Sequence, residues 1–148
     1  MRQIDILHYN NGLALAAQID LEVRRRTRGN PDERRRICAA VTYVEGRQQP
    51  LRNTGATTCA VILAQLYSAH ASVILVAPNR FASHQEHGRV ASSHRNITRV
   101  YPELAVTGMR ADIIIVDAHF AVVRATNQRW LADLELALRP GGTIIQLQ

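Results

Sequence analysis

The chain contains no lysine, and all 18 of its basic residues are arginine. That absence excludes every site built on a lysine amine, from Schiff-base formation to an ammonium that grips phosphate. Cysteine is scarce as well. Cys38 and Cys59 allow one bridge at most, and they read as small buried hydrophobes, which makes a cysteine metal site an unattractive reading. No apolar run approaches the roughly 18 residues of a membrane helix. Met1-Arg2-Gln3-Ile4-Asp5 lacks a signal-peptide core, so a cytoplasmic location and no membrane partner are expected. No serine stands in a nucleophile-elbow context, which argues against hydrolase chemistry of that kind.

What is present is ordinary for a globular protein. The 148 residues are 47% apolar and 20% charged, which predicts one domain over 1–148 with a real core. The formal charge is +6. Arginine presents a planar fork suited to phosphate, so this balance raises the prospect of nucleic-acid contact, although a GC-rich coding bias would leave the same signature.

Along the chain, apolar residues alternate in two runs, Ile4 and Ile6 at even positions and then Leu13, Leu15, Ala17, Ile19, Leu21 and Val23 at odd ones, with Asn10-Asn11-Gly12 between the runs. This alternation predicts an N-terminal β-hairpin. A helix over 13–23 also fits Ala and Leu, but period two with Gln18, Asp20 and Glu22 opposite favours a strand. Residues 24–36, RRRTRGNPDERRR, form the strongest basic cluster. They read as a solvated loop, with a short helix possible after Pro31. A third strand is expected over 37–44 and a loop over 45–54. Beyond these the pattern turns to α/β: a helix over 57–69, strands over 72–77 and 112–117, a helix over 127–138, and a last strand over 143–148. Arg139-Pro140-Gly141-Gly142 reads as a helix stop and tight turn. Strands alternating with helices imply a largely parallel sheet covered on both faces. The polar stretch 80–110 holds a short helix, a loop and a strand near 97–101.

LRNTGATT, followed by the helix CAVILAQLYSAH and the strand SVILVAPNR, resembles a degenerate Walker A loop and the next strand of a P-loop NTPase. TGMRADIIIVDAHF resembles the Walker B strand of helicases and phage terminases, and VAPNR the segment such motors use on a nucleic-acid strand. The resemblance covers about residues 48–148 and implies a three-layer P-loop-like core behind an N-terminal segment, 1–47. It implies ATP and magnesium as cofactors, with Arg52, Asn53, Thr54, Gly55, Thr57 and Thr58 as the anion loop. Thr57 and Asp117 would stand on the magnesium side, and His119, matching the last letter of a DEAH-type motif, would be a coupling residue. The departures are specific. Ala56 occupies the lysine position, Pro50 the first glycine, and Ala118 the water-polarising glutamate. Loss of the lysine removes most transition-state charge stabilisation, and Arg52 is the nearby cation left to replace it.

A second resemblance competes. LADLELALRPGGTIIQLQ resembles the helix, turn and strand near the end of a Rossmann-like S-adenosylmethionine methyltransferase, although the GxGxG loop is missing. His84 and His87 lie at helical spacing beside Glu86, but no third ligand has a recognisable spacing, and Ser92-Ser93-His94 reads as a polar loop. The sequence therefore predicts a nucleic-acid-associated P-loop-like protein, of viral or mobile-element character, that binds nucleotide or phosphate with little hydrolysis. Arg24, Arg25, Arg26, Arg28, Arg34, Arg35 and Arg36 would hold a phosphate backbone. The alternatives are a non-catalytic module that docks an acidic protein surface, and a truncated methyltransferase.

Overall fold

The computed structural model describes residues 3–26, 35–38, 56–77, 86–102, 104–117 and 128–147. The first element, α1 (Gln3–Arg26), is a helix where alternation predicts a hairpin. Between residues 10 and 24 its buried residues are Gly12, Ala16, Ile19 and Val23, spaced four, three and four apart along one helical stripe. Ile19 and Val23 satisfy both patterns, but Leu13 and Leu21, of the same parity, are 45% and 70% exposed. The stripe packs on the buried face of α2 (Ala56–Ser68), made of Cys59, Ala60, Leu63, Ala64 and Tyr67. Asn10-Asn11-Gly12 therefore lies inside a helix, with Gly12 buried in it.

Five parallel strands form the sheet: β1 (Arg35–Cys38), β2 (Val73–Val76), β3 (Ile97–Val100), β4 (Ala111–Val116) and β5 (Leu138–Gln146). Their order is β1-β5-β4-β2-β3. The architecture is α/β with helices on both faces, as the alternation of elements predicts. β1 starts at Arg35, so a helix from Pro31 cannot run through Arg36, and residues 39–44 of the expected third strand lie outside the described set.

The central strands are runs of aliphatics because both of their faces are covered. Val73, Leu75, Ile113 and Ile115 point to one core with α1, α2 and α3 (Glu86–Ser93). Ile74, Val76, Ile114 and Val116 point to the other, with Trp130 and Leu134 of α4 (Gln128–Leu136). Trp130 Nε1 donates to the Leu104 carbonyl at 2.6 Å, which ties α4 to the connection before β4.

The tight turn expected at residues 139–142 is absorbed into β5 as a bulge. Leu138 pairs with Ala111 and Thr143 with Ile113, so these four residues face Asp112 alone. Gly141 has φ 80°. A Cβ on Gly142 would lie 2.6 Å from Leu138 Cδ1 and 2.8 Å from the Asp112 carbonyl oxygen, so only glycine fits there.

From β2 the chain crosses to β3 through α3 on one face, and from β4 to β5 through α4 on the other. The two connections leave neighbouring strands in opposite directions. The carboxyl ends of β2 and β4 are therefore a topological switch point, where open α/β sheets hold their ligands.

Candidate functional site at the switch point

Asp117 is the residue that follows β4, and its backbone N–H donates to the Val76 carbonyl of β2 at 2.9 Å. The side chain therefore belongs to the switch point itself. It is 2% exposed. A buried carboxylate needs a partner, and His87 in the first turn of α3 provides one: His87 Nε2 lies 2.9 Å from Asp117 Oδ2, with its own side chain 1% exposed. The other ring nitrogen, Nδ1, is buried with no hydrogen-bond partner among the described residues.

The first turn of α2 closes the third side. Burial, and after it the nearby Asp117 carboxylate, pushes the Cys59 thiol up from its ordinary 9.0 to about 12. The thiol is therefore an inert packing group. Because α2 packs on β2 and β4 and runs back to the amino end of β2, its start lies at the carboxyl edge of the sheet, the edge that holds Asp117. In the same turn Thr57 is exposed and Thr58 half-buried. The unpaired backbone N–H groups of a helix start, together with its dipole, attract anions.

Three of the sequence-predicted residues for the ligand and metal, Asp117, Thr57 and Thr58, are thus brought to one edge of the sheet. Arg52, Asn53, Thr54, Gly55 and His119 lie outside the described residues, as do Pro50 and Ala118, while Ala56 opens α2. The arginine cluster goes elsewhere. Arg24, Arg25 and Arg26 end α1, and Arg35 and Arg36 open β1 opposite Thr143 and Ile144. Arg24 pairs with Asp20 at 3.0 Å and lines a pocket of about 480 Å³ with Tyr67, Asp112 and Thr143, at the amino ends of the strands. Arg28 and Arg34 are outside the described residues. The described members of the basic segment therefore do not flank Asp117 and lie at the opposite edge of the sheet.

Sequence reasoning missed His87, which it weighed only as half of a helical metal pair with His84. The available signal was position: His87 sits in the crossover that leaves the strand next to β4. Among the described residues no group of three His, Cys, Asp or Glu side chains converges as a metal site. No family model, curated protein or solved structure matched the chain.

Proposed function

We propose that this chain is a P-loop-like protein that binds a nucleotide by its phosphates at the carboxyl edge of the sheet, with little or no hydrolysis, and that it associates with nucleic acid. The observation that carries the reading is that the start of α2 and Asp117 share the carboxyl edge of the sheet at the switch point between β2 and β4. A helix start supplies N–H donors for phosphate without any lysine. Slow chemistry follows from composition. With no lysine in the chain and alanine at 56 and 118, neither the β,γ-phosphate cation nor the water-polarising acid is supplied.

Magnesium fits the described donors poorly. Asp117 Oδ2 is already hydrogen-bonded to His87, and the carboxylate is buried while Thr57 is exposed. Nucleotide binding is therefore expected without dependence on the metal.

A second reading keeps one specific support. In chain order the run β3-β2-β4-β5 reads 2-1-3-4, a doubly wound arrangement whose switch point between β2 and β4 suits a mononucleotide or a nucleoside cofactor alike. A thermal-shift panel of ATP, GTP and S-adenosylmethionine, each with and without magnesium, separates the readings. A rise in Tm with ATP or GTP in both conditions is expected. A rise with S-adenosylmethionine alone transfers the site to the methyltransferase reading. Silence from all three sinks nucleotide binding and leaves the fold as a scaffold for an acidic partner.

A further inference from the structure

The cleft of about 480 Å³ at the amino ends of the strands has no part in nucleotide binding at the switch point. Its volume falls within the range of about 300–1,000 Å³ typical of small-ligand sites. Val23, Tyr67, Ala71 and Ile113 give it an apolar wall, and two carboxylates line it, Asp20 from α1 and Asp112 from β4. Both acids have partners. Asp20 accepts from Tyr67 Oη and from Arg24 Nε at 3.0 Å each, and Asp112 Oδ2 from the Ser72 backbone N–H at 3.1 Å and Arg139 Nη1 at 3.2 Å. A carboxylate has about four acceptor sites. Asp112 Oδ1 takes only a 3.3 Å contact from Arg139, and the side chain is 42% exposed, so it keeps capacity for a donor that enters the cleft. The bulge in β5 bears on the same place. Its four residues oppose Asp112 alone, and Gly141, at φ 80°, lines the cleft without a side chain to close it. Bulges recur beside active sites, where they re-aim a side chain.

Cations surround these acceptors. Arg24 and Arg139 are 73% and 48% exposed, Arg110 is exposed just before β4, and Arg25 and Arg26 end α1. An anionic polymer is drawn to such an edge. A basic peptide would suit the acids but must approach through the arginines, and a simple anion would suit the arginines but not the acids. One nucleotide of a single strand meets both, with phosphates outside and an N–H group inside. We propose that the cleft receives an unpaired base of a single-stranded nucleic acid, its exocyclic amine donating to Asp112 and its flanking phosphates lying on the arginines. This rests on the nucleic-acid association proposed above. Acidic side chains accept from the cytosine amine in just this way. His70 is exposed, lines the cleft, and stands edge-on to Tyr67 with ring centroids 6.5 Å apart, so an aromatic ring is at hand for an unstacked base. Thymine has no amine and carries carbonyls on both sides of its one N–H, so the cleft should hold it worst. A base paired in a duplex cannot enter.

Fluorescence anisotropy of the full chain, at one salt concentration, tests this with labelled strands of about 12 nucleotides, a length within the site sizes of single-strand binders. The probes are oligo-dC, oligo-dT, an abasic strand of equal length and an oligo-dC·dG duplex, with CMP as a free competitor. Oligo-dC should bind about tenfold more tightly than the abasic strand, and oligo-dT close to the abasic level. Asp112→Ala removes the acceptor, and Ala71→Leu fills the cleft while leaving Asp112 and its partners in place; thermal melts check that each folds. In both variants the ratio of oligo-dC to abasic affinity should fall to near one while abasic binding is kept. Taking that ratio within each protein cancels the charge that Asp112→Ala alters. Equal wild-type affinity for oligo-dC and the abasic strand overturns the inference and leaves nucleic-acid association standing. A preference for oligo-dC that survives either folded variant puts the reader elsewhere and overturns it as well. So does a duplex bound as tightly as oligo-dC, or CMP that displaces oligo-dC at equal concentration, which would make the cleft a free-nucleotide site. Failure of every strand to bind removes nucleic-acid association and this inference together.

Discussion

At the scale of single residues, the side chains that matter are acids held in the wrong solvent. Cys59 is pushed up to about 12 by burial and then by Asp117. Tyr67 is raised as well, first by burial and then by the hydrogen bond its hydroxyl donates to Asp20 at 3.0 Å. Both are neutral when protonated, so a raised value in the folded state means that the unfolded chain releases its proton first. Their contribution to stability is complete below the ordinary Cys value of 9.0 and is lost as pH rises from there toward 12. Tm should therefore fall over that alkaline window. Cys59→Ala should flatten part of the fall and Tyr67→Phe another part. Equal slopes in the wild type and both variants would show that these groups are not the cause. Below pH 9 the Cys59 thiol should resist alkylation in the folded protein and react on unfolding.

Among elements, α1 is the instructive case. Alternating apolar residues between 13 and 23 were legible, but the same positions admit a helical stripe, and what selects it is the complementary stripe on α2, a tertiary fact absent from any local window. Substitution separates the two. Ile19→Ala should cost about 2–4 kcal/mol, and Leu21→Ala, at 70% exposure, under about 0.5 kcal/mol. Urea denaturation measures both, and equal costs would revive the hairpin, in which they share a face. β5 shows a similar limit. The turn chemistry of Pro140-Gly141-Gly142 was visible, but that a strand would carry it as a bulge depends on the pairing of Leu138 with Ala111. Gly142→Ala should cost about 1–3 kcal/mol in the same assay, because two of the three atoms crowding its Cβ are backbone oxygens that cannot move aside. The helix α2, the strands β2 and β4 and most of α4 were legible because their apolar runs or periodicity stood out between polar residues and glycine. Asp117 was legible as the residue that ends a buried strand. His87 was not, since its significance lies in the order of strands and not in its neighbours in sequence.

Seen whole, the residues proposed to bind nucleotide and those proposed to bind nucleic acid stand at opposite edges of one sheet. The helix start and Asp117 are at the carboxyl edge; the arginines that end α1 and open β1 are at the amino edge. Reversing Arg24, Arg25 and Arg26 to glutamate should weaken nucleic-acid binding across all sequences. The slope of log affinity against log salt should flatten by about 0.9 for each phosphate that the protein no longer neutralises. The nucleotide-induced Tm shift should be unchanged. A loss of both would mean that the edges are not independent, and no loss in either would remove the arginines from nucleic-acid binding.

The order of the sheet also governs how it must assemble. β1 pairs with β5 among the described strands, so Arg35 waits for Thr143 before its ladder closes. Folding of the central β2-β4 unit can run ahead, but the edge strand is recruited only after the chain has closed a loop spanning most of its length. Such non-local closure slows folding, and the late step should report on β5: mutations there would retard the final phase while those in β2 change the first.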